Sequence, residues 1–471
     1  MIVHKFGGTS VGNAERFSNV ADIIKQHHCQ VDGASERESV VVLSAMSGVT
    51  DQLISGARAA AEGRASEYRQ IKASLLSRHL EVVEATLSQS LSQLEVGGLV
   101  EDQLHDLERL YRSIAVLGEV TARGYDAVAS FGETLSTNIL AAILRERGVR
   151  AQSVNAAKLI VTDTKFGEAK PLMIETRQQL QERLKPLVGR GVVPIVTGYI
   201  GATEEGVTTT LGRGGSDFTA AIVGAALQAS AVWIWSDVDG ILTADPNIVP
   251  QARSLSELSY AEAAELAYYG AEVLHPKTIR PVTESAIPLY ILNSFNPEHR
   301  GTLIVENPSH DRTRLPAIIS TTGLSLIALS GQDDVWTLEL AARALEQLSR
   351  AGVEVLMFSQ SFSEHSLNLV VRDRDQTHCL HVLCEEFENG SHSSAFTLKT
   401  QEKVATISVV GVPGWNDTGT VSHAFSALGK LGTRVIAVAQ AATEHSVSFC
   451  IPEHEVNDTV KYLHRELGLE A

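Results

Sequence analysis

The sequence predicts an α/β protein, with a largely parallel sheet flanked by helices and then two small βαββ-type modules. Three observations carry this. Short apolar runs alternate with helical patterns over about the first 300 residues, as in parallel strands joined by covering helices. The runs end in glycine-rich or polar turns, and open α/β sheets bind ligands at the carboxyl ends of their strands. Past residue 305 the chain repeats itself without a gap.

Taken in order, residues 2–6 form the first expected strand, and two glycines follow it in HKFGGTS (4–10). Phe17, Val20, Ile24 and His27 then recur at helical spacing, with Asn13 as N-cap. VVVLSAMSGVT (40–50) reads as a strand covered on both faces. Ile71, Leu75, Leu80, Val83, Leu87, Leu91 and Leu94 step by three to five, as do Val100, Leu104, Leu107, Leu110, Ile114 and Leu117. These positions imply packing between helices. Further strands are expected in VVPIVTGYIG (192–201), AVWIWSDVDG (231–240) and IPLYILN (287–293). The first domain is placed at 1–305, and ENPSHDRTRLP (306–316) reads as a linker.

Beyond the linker, SLIALSG (325–331) aligns with ATISVVG (405–411), and QSFSEHSLNLVV (360–371) with QAATEHSVSFCI (440–451). Gly331 pairs with Gly411, Gly352 with Gly432, Gln360 with Gln440 and Glu364 with Glu444, each pair 80 residues apart. Each copy reads as strand, loop, helix, strand, turn, strand. The modules are placed at 317–398 and 399–471, with the last strand available to complete the first module.

A length of 471 residues suits two to four domains. The formal charge of −17 argues against a nucleic-acid partner, whose phosphates attract basic surfaces. Four cysteines are too few for a disulfide framework, so a cytoplasmic location is expected. MIVHKFGG lacks the long apolar core of a secretory leader, and no apolar run reaches the roughly 18 residues of a membrane span. HCLHVLC (378–384) brings two histidines and two cysteines together, but it reads as an amphipathic helix without a second ligand pair at zinc spacing.

Four stretches carry chemistry. KFGGTS sets Lys5 beside Gly7 and Gly8, which either make a turn or let backbone N–H groups approach a phosphate. TTTLGRGGSDFTAA (208–221) puts glycines before a helix, with Ser216 as N-cap and Arg213 as a fixed charge. A helix N-terminus suits an anion, and arginine can hold a carboxylate bidentately. WSDVDGILTADPN (235–247) leads from a strand into an acidic loop that suits a turn or a nucleotide's base and ribose. In SFGETLSTNIL (130–140), Glu133 opens an amphipathic helix, where a carboxylate often only compensates the dipole. There is no G-x-x-x-x-G-K-[ST] loop, no protein-kinase signature set, no H-E-x-x-H helix and no G-x-S-x-G elbow.

KFGGTS, FGETLST, TTTLGRGGSD, WSDVDGILTADP and EAAELAYYGAEVLHP (262–276) occur in the order and spacing of the aspartate kinases. The chain thus resembles that group of the amino acid kinase family, whose members end in two ACT modules. IAVAQAATEHSVSFCIPEHEV (436–456) looks most like the regulatory part of aspartokinase–homoserine dehydrogenases. The chain stops where their dehydrogenase would begin, so a monofunctional kinase is expected. The resemblance implies the amino acid kinase fold, ATP with Mg²⁺, and phosphorylation of the L-aspartate β-carboxylate. That reaction opens lysine, threonine and methionine synthesis. By motif, it makes Lys5 the phosphate and transition-state lysine, counts Gly7, Gly8 and Asp217 with it as catalytic positions, and sets Asp217 beside Arg213. Thr50, Glu133, Arg213 and Ser216 match substrate positions, Glu133 near the ammonium and Arg213 on the α-carboxylate. Lys5, Gly8, Ser236, Asp237, Leu242 and Asn247 match ATP positions. Gln360 and Gln440 match effector positions, with threonine favoured over lysine. A homo-oligomer formed through the ACT modules is implied, without a membrane partner.

This sequence departs from many relatives at Ser236, Leu242, Asn247 and Glu272, where they carry threonine, tyrosine, arginine and lysine. Two other readings stay open. One is a family member acting on glutamate, N-acetylglutamate or a nucleoside monophosphate. The other is a catalytically weak amino-acid sensor.

Overall fold

The structure is a computed structural model. It describes residues 1–470 apart from 29–30, 33–34, 37, 270–273, 310–314, 332–337, 362–364, 389–395, 412–418 and 441–445. Glu272, Glu364, Glu444 and the middle of the 306–316 segment therefore lie outside the described residues. The chain separates into two compact units. One comprises Met1–Ile241, Ser256–Tyr260 and Val273–Ser309; the other comprises Leu242–Leu255, Ala261–Glu272 and His310–Ala471. The first unit thus differs from the contiguous stretch 1–305 by two segments that group with the C-terminal unit, and it runs on to Ser309.

The first unit is built on eight strands. Their order is Glu257–Ser259, Thr302–Val305, Leu289–Asn293, Ala231–Ser236, Ile2–Phe6, Ser39–Leu43, Val193–Thr197 and Ala151–Val154. Every neighbouring pair is parallel except Leu289–Asn293 with Thr302–Val305. The sheet is largely parallel and helix-flanked, as the alternation of patterns implied. Ile2–Phe6 lies at its centre, with Phe6 opposite Leu43 on one side and Trp235 on the other. Val40, Val41, Val42 and Leu43 are fully buried, as a strand covered on both faces requires.

Helix Ala14–His28 buries Phe17, Val20 and Ile24, and Asn13 Oδ1 accepts the Arg16 N–H at 3.0 Å, as an N-cap does. Helices Ala65–Thr86 and Ser90–Leu117 bury Leu75, Val83, Leu104, Leu107 and Ile114. Leu91, Leu94 and Leu117 break the expected stripe at 78%, 74% and 72% exposure. They lie within the first five residues and at the last residue of Ser90–Leu117. Ala122–Glu146 is long and apolar enough to cross a membrane, a longer run than the sequence suggested. Of its most apolar window, however, 72% is buried inside the fold, which marks core helices. The stretch forms helices Ala122–Ala129 and Phe131–Glu146, joined at Ser130.

The second unit holds six antiparallel strands in the order Val355–Ser361, Ser366–Arg372, Ala317–Gly331, Phe396–Val410, Ser446–Pro452 and Ala437–Gln440. Each repeat adds two helices, Leu338–Arg350 and Asp373–Glu388 in the first, Gly419–Leu431 and Val456–Glu466 in the second. The repeat is therefore βαββα, one helix longer than the alignment showed. HCLHVLC falls on Asp373–Glu388, with Cys379 in the apolar core. The last strand does not complete the first module. It pairs with Phe396–Val410 and Ala437–Gln440 of its own repeat, because a short connection favours a local antiparallel partner.

Met357 from one edge of this sheet joins Leu324, Val404 and Cys450 in one apolar cluster, against which Ala437 and Ala439 from the other edge also pack. Segment Leu242–Leu255 contributes Ala244 and Val249 to the core around Ile407, Phe449 and Leu463. Thr243 Oγ1 lies 2.9 Å from His464 Nε2, and Arg253 Nε donates to the Leu469 carbonyl at 3.1 Å.

Candidate active site

The central strand of the parallel sheet ends in Lys5, Phe6, Gly7 and Gly8. Lys5 is only 9% exposed, and its Nζ stands 2.6 Å from Asp217 Oδ1. The cation is thus held at the strand end by a carboxylate from another element. Below it, Phe6 stacks on Trp235, and Trp235 Nε1 donates to His4 Nδ1 at 3.3 Å. Burial, with His27 and His28 nearby, pushes the His4 imidazole down to about 3, so it stays neutral.

The glycines turn the chain into Thr9–Val11, with Ser10 and Val11 N–H groups donating to the Gly7 and Gly8 carbonyls. A Cβ on Gly8 would stand 2.9 Å from the Ala45 carbonyl oxygen. Only glycine therefore lets this turn meet Ser44–Ser47, and Ser47 N–H donates to Gly8 O at 3.2 Å.

A cavity of about 420 Å³ opens here. Lys5, Gly8, Thr50, Glu133, Arg213, Ser216 and Asp217 line it together with Ala45, Met46, Ser47 and Tyr199. Three helices present N-terminal turns to it: Val49–Ala61 with Thr50, Phe131–Glu146 with Glu133, and Gly215–Leu227 with Ser216 and Asp217. Unpaired N–H groups and dipole ends make such a convergence favourable for anions.

Glu133 is 3% exposed, and its Oε2 has no hydrogen-bond partner. Burial pushes its carboxyl up to about 8, although backbone N–H groups of Ala45 and of Glu133 itself pull the other way. Desolvation outweighs those hydrogen bonds. The result is a buried acid that needs a cation before it will ionise near neutral pH.

Arg213 stands on a turn between Gly212 (φ +76°) and Gly214 (φ +71°). Its side chain is exposed, and none of the ion pairs among the described residues includes it. The N-cap of the following helix is Gly214, not Ser216 as expected. Ser216 lies inside the first turn, facing Gly198, whose added Cβ would stand 2.6 Å from Ser216 Oγ. Gly214 takes the cap because the turn needs a left-handed residue there.

Ser236 and Asp237 end the strand beside Lys5, and Ser236 Oγ donates to Asp237 Oδ1 at 3.2 Å. They do not line the cavity. Leu242 and Asn247 belong to the other unit, where the Asn247 side-chain amide donates to Asp245 Oδ1 at 3.0 Å. Gln360 and Gln440 also belong to that unit, on its two edge strands. Gln360 Nε2 is buried without a partner, whereas Gln440 is exposed.

Two residues escaped the sequence reading. Tyr199, in the left-handed region at φ +68°, lines the cavity with its N–H bonded to Thr219 Oγ1. Asp126, 2% exposed, accepts from Gly167 N–H at 2.9 Å, Thr210 N–H at 3.0 Å and Thr210 Oγ1 at 2.7 Å. Nothing in its local sequence marks it, since its partners lie 41 and 84 residues away.

Comparison with known proteins decides the family. The amino acid kinase family matches residues 1–293, and the ACT domain matches 327–387 and 407–467. The chain is 32% identical over 475 residues to lysine-sensitive aspartokinase 3 of Escherichia coli K12, covering 99% of both. The chain belongs to the aspartokinases of the amino acid kinase family. It is also 30% identical over 475 residues to the bifunctional aspartokinase/homoserine dehydrogenase of Haemophilus influenzae, covering 99% of this chain and 56% of that one. The chain thus spans about half the length of the bifunctional aspartokinases it matches. Among solved structures, E. coli aspartokinase III in complex with aspartate and ADP (R-state) matches 99% of both chains at 30% identity and a TM-score of 0.82. The complex with lysine and aspartate (T-state) matches at a TM-score of 0.77 and 30% identity. The aspartokinase fold therefore extends through both units, including the tandem ACT region.

Proposed function

We propose that this chain transfers the γ-phosphoryl group of ATP to the β-carboxylate of L-aspartate, giving ADP and 4-phospho-L-aspartate. Glu133 is the observation that carries this reading. A buried carboxyl with one unpartnered oxygen, aimed into a cavity that also holds Lys5 and Arg213, suits an amino acid's ammonium group.

The chemistry follows from charge. A free carboxylate has a pKa of about 4, so the nucleophile is ionised at neutral pH and needs no general base. The site must offset repulsion between two anions and stabilise charge on the transferring group. Lys5, held by Asp217, sits with the Gly7–Gly8 turn at the phosphate end. Arg213 takes the α-carboxylate, with Thr50 and Ser216 beside it, while Glu133 takes the ammonium and leaves the β-carboxylate facing Lys5. Ser236 and Asp237 serve the nucleotide from the adjoining strand end, and Leu242 and Asn247 remain proposed contacts. Mg²⁺ commonly binds through substrate phosphates plus one or two carboxylates, and Asp217 offers a carboxylate at that end. When bound, the ion neutralises phosphate charge.

The test is formation of an aspartyl hydroxamate from the purified chain with ATP, magnesium, aspartate and hydroxylamine. Aspartate-dependent product is expected. Its absence, or preference for glutamate, N-acetylglutamate or a nucleoside monophosphate, would overturn the reading.

The ACT region is proposed to bind an amino-acid effector through Gln360 and Gln440, threonine in preference to lysine, and to assemble the chain into a homodimer or dimer of dimers. The buried, unpartnered Gln360 Nε2 supports a ligand contact. E. coli aspartokinase III is named as lysine-sensitive and has a structure with lysine bound, which makes lysine the competing outcome. Parallel titrations of kinase activity and melting temperature at millimolar threonine or lysine separate the two, and light scattering reads the assembly.

A further inference from the structure

The turn that presents Arg213 is enclosed by side chains that the proposed chemistry does not use. On one flank an added Cβ at Gly212 would meet Glu168 Cγ at 3.1 Å and the Gly167 carbonyl at 3.2 Å. On the other, an added Cβ at Gly214 would meet His275 Cβ at 2.4 Å. The two flanks are tied together. Lys277 Nζ stands 2.5 Å from Glu168 Oε1, and Lys277 N–H donates to His275 Nδ1 at 3.2 Å, which caps helix Pro276–Glu284. Beneath the turn, buried Asp126 holds Gly167, which precedes Glu168, and Thr210, which precedes the turn. Ala169 N–H donates to the Thr210 carbonyl at 2.9 Å, closing the base.

The geometry points to a brace around Arg213, in which the Glu168–Lys277 ion pair joins the two flanks of the turn and sets the affinity for a substrate α-carboxylate. Glu168 and Lys277 are positioning residues that act through the backbone of Gly212–Gly214. This rests on the proposed role of Arg213. Lys277, with Lys165 also near, holds the Glu168 carboxyl below the usual carboxylate range. Burial, with Lys277 and Arg213 nearby, holds the His275 imidazole low, keeping Nδ1 an acceptor. The pair is partly exposed, 35% at Lys277 and 53% at Glu168, so it contributes little to global stability. Its effect is local, on the turn that carries Arg213.

Two readouts test the brace in the full-length chain, using Lys277→Met, Glu168→Gln, the double variant and Lys277→Arg. In the first, hydrogen exchange without ligand follows the peptide spanning 208–218. Exchange at 212–215 should quicken about 1.5- to fivefold in both single variants, the range an exposed ion pair supplies. The double variant should be no faster than either single, and Lys277→Arg should stay near wild type. In the second, the aspartate KM should rise by about the same factor while kcat and the ATP KM hold. Unchanged exchange in correctly folded single variants would overturn the brace. So would a fall in kcat at constant aspartate KM. If the wild-type chain makes no aspartyl phosphate, the kinase reading fails, and the exchange experiment still decides the brace.

Discussion

At the scale of single residues, charge placement controls what the cavity can do. Lys5→Ala removes the lysine at the phosphate end, and kcat should fall about 100-fold or more, the scale of losing a charge stabiliser. Near-normal turnover in the purified variant would remove Lys5 from the mechanism. Because the variant leaves Asp217 without its cation, its denaturant midpoint is read beside kcat to separate lost stability from lost catalysis. Arg213→Ala should instead raise the aspartate KM, and a defect confined to ATP would count against its role.

Glu133 makes the pH dependence specific. Its folded pKa is raised to about 8. Without aspartate the carboxyl is therefore protonated at pH 7, and an arriving ammonium must drive the proton off. The aspartate KM should fall as pH rises from 6 and level off above pH 8, with proton release on binding at pH 7. Calorimetry in buffers of different ionisation enthalpy would show this, and a binding enthalpy independent of buffer would contradict it. Stability carries the opposite sign. Over the window between the ordinary value and about 8, the folded state binds more protons than the unfolded state, so Glu133 costs stability as pH rises. Glu133→Gln should gain on wild type by up to about 1.4 kcal/mol per pH unit there, read from denaturant midpoints without aspartate. His4, depressed to about 3, works in the other direction, its contribution being lost as pH falls below its ordinary value.

At the scale of elements, close backbone approach fixes the site. Gly8 lets the central strand end touch Ser44–Ser47, and a methyl group there has no room. Gly8→Ala should cost about 1–3 kcal/mol from overpacking and lower kcat along with it. A variant as stable and active as wild type would show that the turn can shift freely. This part of the site was legible in the sequence, because apolar strands announce themselves and paired glycines at their ends have few other uses. Glu133, Arg213 and Lys5 could be named from local motifs, and the structure brings all three to one cavity. Their partners could not. The Lys5–Asp217 pair joins two elements far apart in the chain, and the three bonds to Asp126 depend on sheet order rather than local pattern. Ser216 was misplaced as a cap because the motif shows a hydroxyl before a helix but not the left-handed backbone that makes Gly214 the boundary.

At the scale of the whole molecule, the doubled module was the easiest feature to read, since an ungapped repeat needs no three-dimensional knowledge. Which segments belong to its core was hidden. Leu242–Leu255 looks like a loop following a kinase strand, yet Ala244 and Val249 are buried with Phe449 and Leu463. Its small, scattered apolar residues carry no period that would reveal this. A fragment Met1–Ser309 should therefore keep the eight-stranded sheet but leave Ala244 and Val249 uncovered. It should aggregate more readily than the full chain, as measured by light scattering on mild warming. Equal solubility would mean that those residues find other cover.

The chain passes between its units at 241/242, 255/256, 260/261, 272/273 and 309/310. Gene recombination exchanges contiguous stretches, so a crossover after Ser309 would transplant only part of the regulatory core. Leu242–Leu255 and Ala261–Glu272 would stay with the old catalytic half, facing a partner they had not coevolved with. A regulatory half can be inherited intact only by carrying those two islands along, which binds the histories of catalysis and control in a way that a simple end-to-end fusion would not.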